Sequence, residues 1–357
     1  MSEPRAPRPK SRLGARARDA GRTRALAVGA LALALAAVLT IFVDAYAGSS
    51  HAPARTARQR RVARRSRRRA PPAFAVGTTT VHLVDTSRTI TLPEGRDIPR
   101  PLETIVRYPA VGGVGGEETP GATPATAKGP YPLIVFGHGF DATPSTYAAL
   151  LNRWTRAGYV VAAPVFPLEN AAAPGGATQA DLPNEPADFS FVITHLLEES
   201  ERGAGPLAHL IEANHIAVAG QGDGGDAALA TAYDPAMRDQ RIDAAAILSG
   251  SEIPQLGQFT FPSSGPALLA TQGLDDTINT PDDTYLYFDA APKPKYLLRI
   301  GGGEQLAPYT SDPTQLALVE RVTVAFFDAY LRGSKTALNE LQSVGNLGAA
   351  GSLLAEP

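Results

Sequence analysis

The segment from His215 to Leu229, HIAVAGQGDGGDAAL, constrains the fold of this chain more than any other stretch. It begins with a short apolar run typical of a buried strand and ends with an alanine-rich run typical of a helix. Four glycines lie between the two runs, at positions 220, 222, 224 and 225. Glycine adopts backbone dihedrals that other residues avoid, and it lets two backbones approach closely. The segment therefore predicts a strand that turns sharply into a helix.

The same spacing is that of a nucleophile elbow, G-x-S-x-G, in which the central serine is the attacking group. Gly222 stands at that central position. Glycine has no side chain that can attack, and it adopts the elbow dihedrals without the strain of roughly 1 to 3 kcal/mol that a serine bears there. A glycine-rich phosphate loop is the alternative, but no lysine follows the glycines as that motif requires. The sequence therefore predicts an elbow without its nucleophile.

From residue 74 to 335, strand-like and helix-like stretches alternate. Short apolar runs typical of buried strands lie at 79–84, 102–108, 132–136, 159–163, 215–219, 244–248, 267–270 and 295–300. Longer stretches with helical periodicity lie at 143–157, 187–201, 225–233 and 313–331. This alternation predicts an α/β domain with a mostly parallel central sheet and helices on both faces. Residues 110–130 are expected to form a loop, and residues 336–357 a C-terminal tail with a loose helix.

The composition excludes several kinds of site. The chain has 357 residues, and 44% of them are apolar, which is enough for a large buried core. It has no cysteine, so disulfides, thiolate metal sites and a cysteine nucleophile are excluded. Residues 74–357 carry 16 Lys+Arg against 32 Asp+Glu, and so acidic a domain argues against a nucleic acid ligand. No cofactor or metal is expected.

The N-terminal region has the opposite charge, with 17 Lys+Arg against 3 Asp+Glu in residues 1–73. Residues 1–24 form a basic segment, and residues 25–47 contain a 19-residue uncharged run followed by the small-x-small sequence Ala45-Tyr46-Ala47. A run of this length predicts either a transmembrane helix or a cleavable signal peptide. Residues 48–73 are an Arg- and Pro-rich linker that can contact an anionic membrane surface. The expected location is the cell membrane, single-pass, with the domain on the extracytoplasmic side; the alternative is secretion after cleavage.

Five motifs follow one another in the order found in a known superfamily. They are YPLIVFGHGFDATPSTY at 131–147, GYVVAAPVFP at 158–167, the glycine elbow, GLDDT at 273–277 and IGGGEQLAPYT at 300–310. Together they resemble the α/β-hydrolase superfamily, in particular the branch of dienelactone hydrolase, platelet-activating-factor acetylhydrolase and cutinase-like polyester hydrolases. The resemblance covers roughly residues 74–332. It implies an α/β-hydrolase fold and a relationship to carboxylic-ester hydrolases of the lipase and esterase type.

The resemblance also assigns roles to individual residues. It implies that the backbone N–H groups of Phe140 and Asp223 form the oxyanion hole, and that His138 shapes the loop beside it. Asp276 falls on the position of the triad acid, with Asp275 as a less favoured neighbour. Gln305 falls on the position of the catalytic histidine. Glutamine has no proton that titrates near neutral pH, so it cannot act as a general base.

The degenerate nucleophile position at Gly222 and the degenerate histidine position at Gln305 predict a catalytically inactive protein. Its pocket is expected to bind an acyl or small hydrophobic ligand or a protein partner. The alternative is a carboxylic-ester hydrolase with a non-standard mechanism, in which Glu304 or Asp276 activates water. Ser249 and Ser251 are candidates for a relocated nucleophile. A carboxylate cluster that binds a cation is a further alternative, from Asp275, Asp276, Asp282, Asp283 and Glu304.

Overall fold

The computed structural model describes residues 73–257 and 260–357. The predicted basic segment, the transmembrane or signal segment and all of the 48–73 linker except Ala73 lie outside these residues. Among the residues that are described, no helix combines the length and the apolarity needed to cross a membrane.

A ten-stranded sheet runs through the described part of the chain, in the order β10-β9-β8-β7-β6-β4-β5-β2-β1-β3. The six strands from β4 to β9 are all parallel, whereas β2 and β10 pair antiparallel with their neighbours. The predicted mostly parallel sheet is therefore confirmed. The strands are β1 (Ala75–Thr91), β2 (Asp97–Ala110), β3 (Thr119–Pro120), β4 (Tyr131–Gly137), β5 (Val160–Pro164), β6 (Ile211–Gln221), β7 (Ile242–Leu248), β8 (Ala267–Gly273), β9 (Lys295–Ile300) and β10 (Gly351–Glu356).

Helices cover both faces of the sheet, as predicted. In the described residues they are α1 (Ala148–Arg156), α2 (Glu185–Glu201), α3 (Asp223–Tyr233), α4 (Pro281–Ala290), α5 (Ala307–Thr310), α6 (Pro313–Tyr330) and α7 (Lys335–Val344). Side chains of α2, α3 and α4 pack in one apolar cluster with Val135 of β4, and side chains of α1, α6 and α7 pack in a second cluster with Phe136. Because successive side chains of a strand point to opposite faces, β4 contributes to both cores and is apolar throughout its centre.

A buried arginine connects the β1–β2 hairpin to the first turn of α2 and to the segment just before it. Arg100 of β2 is completely buried, and its Nη1 lies 2.7 Å from Oδ1 of Asp181. Its Nε donates to Oδ1 of Asp188 at 2.8 Å. Arg88 of β1 contacts the same Asp188, with Nη2 2.7 Å from Oδ1. Two buried carboxylates therefore hold two cations here, and the sequence did not predict this group.

The structure also departs from the sequence-based expectations in the connections. The expected 110–130 loop includes β3 and a 3₁₀ turn at Thr126–Lys128, and its Glu118 forms an ion pair with Arg107. Helix α4 was not predicted. The C-terminal tail contains the expected helix as α7, but it also forms the edge strand β10, which was not predicted and pairs antiparallel with β9. Leu341 and Leu353 of this region are buried in the second core, which is why the region is ordered on the sheet.

Candidate functional site

The glycine-rich segment forms the sharp strand-to-helix turn that the sequence predicts. Gly222 lies between β6 and α3 with a φ of 55° and a ψ of −128°, in the left-handed region that favours glycine. A Cβ on Gly220 would lie 2.0 Å from the carbonyl oxygen of Gly224, and a Cβ on Gly224 would lie 2.4 Å from the carbonyl carbon of Gly137. The strand and the helix therefore approach too closely for any side chain at these two positions.

Gln305 faces the apex of this turn. A Cβ on Gly222 would lie 3.4 Å from Nε2 of Gln305, which follows β9 and precedes α5. No hydrogen-bonding partner for the Gln305 side-chain amide occurs within the described ranges. The structure thus brings together the two positions that the superfamily resemblance assigns to the nucleophile and the general base.

Asp276 lies in the turn after β8, close to the turn that precedes Gln305. Its Oδ1 accepts hydrogen bonds from the backbone N–H groups of Ile278 at 2.9 Å and Asn279 at 3.2 Å. Its Oδ2 is buried and makes no hydrogen bond of normal geometry to the described residues, although the side chains of Ser249 and Gln272 lie near the carboxylate. Burial raises the pKa of Asp276 above its ordinary value. The neighbouring Asp275 donates its backbone N–H to the carbonyl of Gly303 at 2.9 Å, which ties the acid turn to the turn before Gln305.

The two backbone N–H groups assigned to the oxyanion hole are free of acceptors from the described residues. Neither the N–H of Phe140 nor that of Asp223 has a hydrogen-bond acceptor among the residues that the structure describes. Both residues line one pocket together with Gly222 and Gln305. The arrangement can bind a carbonyl oxygen or another acceptor at the N-terminus of α3.

His138 holds the oxyanion loop in place and is neutral. It is completely buried, its Nε2 accepts the backbone N–H of Phe166 at 3.1 Å, and its Nδ1 lies 3.0 Å from the carbonyl oxygen of Gly139. Because Nε2 accepts, Nδ1 carries the proton and donates to Gly139. Burial lowers the pKa of His138 to about 4 from an ordinary value of 6.5. This geometry agrees with the loop-shaping role inferred from the resemblance.

The buried His138 should make the stability of the protein sensitive to acid. A base whose pKa is depressed in the folded state contributes stability that is full above its ordinary pKa and is lost as the pH falls through the folded value. His138→Gln removes this titration. The difference in unfolding free energy between wild type and variant should therefore shrink by on the order of 3 kcal/mol between pH 7 and pH 4. Urea unfolding at each pH measures it, and a constant difference would contradict the assignment.

The pocket has a polar floor and an apolar rim. Its volume is about 330 Å³. The floor carries the side chains of Tyr147, Gln221, Asp223 and Gln305, whereas Gln179, which also lines the pocket, is exposed. The rim carries three apolar side chains that are unusually exposed for their type, namely Phe140 at 46%, Ile278 at 71% and Leu306 at 41%. A ligand with a carbonyl group and an apolar substituent matches this distribution.

The sequence did not reveal the network that joins the loops of the site. The N–H of Gly139 donates to the hydroxyl of Tyr147 at 3.2 Å, and that hydroxyl donates to Oε1 of Gln221 at 2.7 Å. Nε2 of Gln221 donates to the carbonyl of Gln305 at 3.1 Å. One side chain therefore connects the oxyanion loop, the elbow and the loop after β9. Gln221 lies in the elbow motif itself, but no sequence pattern gives its partners.

The other candidates from the sequence lie outside the pocket. Ser249 is completely buried, and its Oγ is 2.9 Å from the hydroxyl of Tyr309. Ser251 is also buried, and Glu304 is exposed; none of the three lines the pocket. Asp283 caps α4 by accepting the N–H of Thr280. Across residues 73–257 and 260–357, no group of three or more acidic, histidine or cysteine side chains is arranged to hold a metal ion.

Comparison with known proteins agrees with the fold. A family model described as chlorophyllase matches residues 122–252, a range that contains the oxyanion loop and the elbow but ends before Asp276 and Gln305. Among solved structures, the chain is similar to a ferulic acid esterase from Streptomyces cinnamoneus, with 24% identity and a TM-score of 0.56 over 74% of this chain and 93% of that one. No curated protein matches significantly.

The chain therefore has an α/β-hydrolase fold, which confirms the fold implied by the resemblance of its motifs. The elbow, the oxyanion loop and the turns that carry Asp276 and Gln305 all follow parallel strands of this fold, as catalytic groups in such sheets do.

Proposed function

We propose that the protein is a catalytically inactive α/β-hydrolase whose pocket binds a neutral ester or a related carbonyl compound with an apolar substituent. The observation that carries this proposal is the pairing of Gly222 with Gln305 at the apex of the elbow, 3.4 Å apart as measured from the Cβ position of residue 222. Ester hydrolysis by this fold requires a nucleophile and a base that activates it, and neither residue can perform either role.

Binding does not require the missing groups. The free N–H groups of Phe140 and Asp223 can hold a carbonyl oxygen, and the amide of Gln305 adds a third donor beside them. The exposed rim of Phe140, Ile278 and Leu306 offers apolar contact to an acyl or aryl group. In enzymes with a damaged triad, binding and the oxyanion hole alone leave on the order of 10³ to 10⁴ over the uncatalysed rate, which is far below a working esterase.

The similarity to a ferulic acid esterase supports an ester as the class of ligand. The rival proposal, a hydrolase with a non-standard mechanism, needs a carboxylate that activates water in the pocket. Glu304 is exposed, and neither Glu304 nor Asp276 lines the pocket, so these residues give that mechanism little support. Such a hydrolase would turn over p-nitrophenyl butyrate, whereas an inactive protein would not.

The test combines turnover with binding, on the full chain. We expect no hydrolysis of p-nitrophenyl butyrate above a heat-treated sample and no labelling by a fluorophosphonate probe. We also expect methyl octanoate to bind and to raise the melting temperature, because a ligand that binds only the folded state stabilises it. Turnover or labelling of Ser249 or Ser251 would contradict the proposal, and so would the absence of any binding.

A matched pair of variants locates the ligand. Ile278→Asp places a charge on the apolar rim and should abolish the thermal shift caused by methyl octanoate. Leu286→Asp changes a side chain of the same 71% exposure on α4, outside the pocket, and should retain the shift. Loss of the shift in both variants, or in neither, would mean that the ligand binds elsewhere.

A further inference from the structure

Two glutamates lie buried next to the elbow without any donor to satisfy them. Glu169 follows β5, Glu185 begins α2, and both are completely inaccessible to solvent. All four of their carboxyl oxygens are buried, and no N–H or O–H group of the described residues reaches them. A buried polar group without a partner costs roughly 1 to 3 kcal/mol, and more if it is charged. Such a pair therefore needs donors of its own.

The carboxyl groups themselves supply the donors. Glu169 and Glu185 lie close enough for their carboxyl groups to interact, and Glu169 also interacts with Asp223. Burial, together with the nearby carboxylates, raises the pKa of Glu169 to about 8 and the pKa of Glu185 well above its ordinary value. The raised pKa values favour the protonated form of both glutamates, in which each carboxyl group can donate its proton to the next. The three residues form a chain of carboxyl groups that ends at Asp223.

Asp223 is the member of this chain that faces the pocket. Nε2 of Gln179 donates to its Oδ2 at 2.6 Å, and Asp223 lines the pocket, whereas neither glutamate does. No Lys or Arg in the described residues forms an ion pair with it or lines the pocket. The other charged groups that face this chain are Asp181, Asp188 and Asp226, with Arg100 and Arg88 already paired to the first two. The charge on Asp223 is therefore not neutralised.

The carboxylate of Asp223 opposes the binding of anions, which the backbone N–H groups around it would otherwise favour. Free N–H groups at the N-terminus of a helix attract anions, so an oxyanion hole alone would bind a carboxylate well. Asp223 places its own carboxylate at the first position of α3, beside those donors. A second negative charge brought into the partly dry pocket would be repelled at short range.

We propose that Asp223 is the specificity-determining residue of the pocket, and that the Glu185–Glu169–Asp223 chain makes it select neutral esters against free carboxylates. This inference rests on the proposed function, because it assumes that the pocket binds carbonyl compounds. As the pH rises and Glu169 loses its proton, the pocket becomes more negative, and the preference for the neutral ligand increases.

The first experiment compares methyl octanoate with octanoate, which have the same acyl chain. Dissociation constants are measured by calorimetry at pH 6.5 for the wild type and Asp223→Asn, after thermal unfolding has shown that both are folded. The ratio of the two constants should move toward octanoate by tenfold or more in Asp223→Asn, equivalent to about 1.4 kcal/mol. Asp282→Asn makes the same change in net charge on exposed α4 and should leave the ratio at the wild-type value. An unchanged ratio in Asp223→Asn would overturn the inference.

The second experiment isolates the buried pair and keeps the inference testable if Asp223→Asn does not fold. Octanoate stays ionised from pH 6.5 to 9, well above the range in which carboxylic acids titrate. The wild type should discriminate against octanoate more strongly as the pH rises through about 8, the pKa of Glu169. In Glu169→Gln, whose amide can donate to Asp223 without titrating, discrimination should not change with pH. The same pH dependence in both proteins would contradict the role of the chain.

The outcomes separate this inference from the proposed function. If neither ligand binds to the wild type or to the variants, both fail. If methyl octanoate binds and the ratio does not respond to Asp223→Asn, only the inference fails. If methyl octanoate is hydrolysed, the proposed function fails, and the inference is decided by the inhibition constant of octanoate in the same two proteins.

Discussion

Gly222→Ser combined with Gln305→His is expected to raise hydrolysis of p-nitrophenyl butyrate by about 100-fold or more over the wild type, whereas each single variant stays near the wild-type rate. Nucleophile and base act as a unit, so restoring one without the other recovers little. The geometry is favourable, because a side chain on residue 222 would point at residue 305 and the oxyanion N–H groups are free. Stopped assays with purified full chain measure the rates.

Two controls make this expectation specific. Asp276 keeps a buried, unpartnered Oδ2, which is the acceptor that a histidine at position 305 would need for its second nitrogen. Adding Asp276→Asn to the double variant should remove most of the gained activity. Gly222→Ala tests the turn alone: at a φ of 55° any side chain is strained, so it should be destabilised by roughly 1 to 3 kcal/mol. A folded but inactive double variant would contradict the assignment of Gln305 to the histidine position.

Arg100→Met is expected to lower the unfolding free energy by about 3 to 5 kcal/mol, because it leaves Asp181 and Asp188 as buried carboxylates short of a partner. The change can be followed by urea unfolding with the fluorescence of Trp154, which is buried and is the only tryptophan in the sequence.

The matched control for Arg100 lies on the surface. Arg202 also contacts two acids, Glu198 and Glu199, but its side chain is largely exposed. Arg202→Met should change the unfolding free energy by less than about 1 kcal/mol. Adding Asp181→Asn to Arg100→Met should recover part of the loss, since it removes one of the stranded charges. Equal effects of Arg100→Met and Arg202→Met would mean that the buried pairs contribute no more than exposed ones.

The sequence predicted those parts of the fold that depend on neighbouring residues. The elbow was predicted because the glycine spacing from 220 to 225 is local, and the central strands because each is a short apolar run. Helix α4 was missed, although Thr280 and Asp283 form the spacing of a capping box at its start. Strand β10 was missed because an edge strand buries only part of its length, so its apolar residues are few.

The residues of the site could be predicted only where a sequence motif assigns each of them a position in the fold. The resemblance brought Gly222 and Gln305 to the same place although they are far apart in sequence. It gave no indication of Arg100 with Asp181, or of Glu169 with Glu185, because partners of this kind are chosen by the packing of distant segments. The hydrogen bonds of Gln221 were hidden for the same reason. The motifs therefore predicted which loops form the site. The charged side chains around it were not predictable, because their partners come from the packing of distant segments.

The edge strand β10 has a consequence for how the sheet is completed. β9 pairs with β8 on one side, and its other side acquires a partner only after α6 and α7 have followed it along the chain. Until then β9 presents a row of unpaired N–H and C=O groups beside apolar side chains, which is a template for pairing with another molecule. A nascent or truncated chain that lacks β10 is thus the form most prone to self-association. In the complete domain, α7 positions the following strand β10 so that it pairs with the exposed edge of β9.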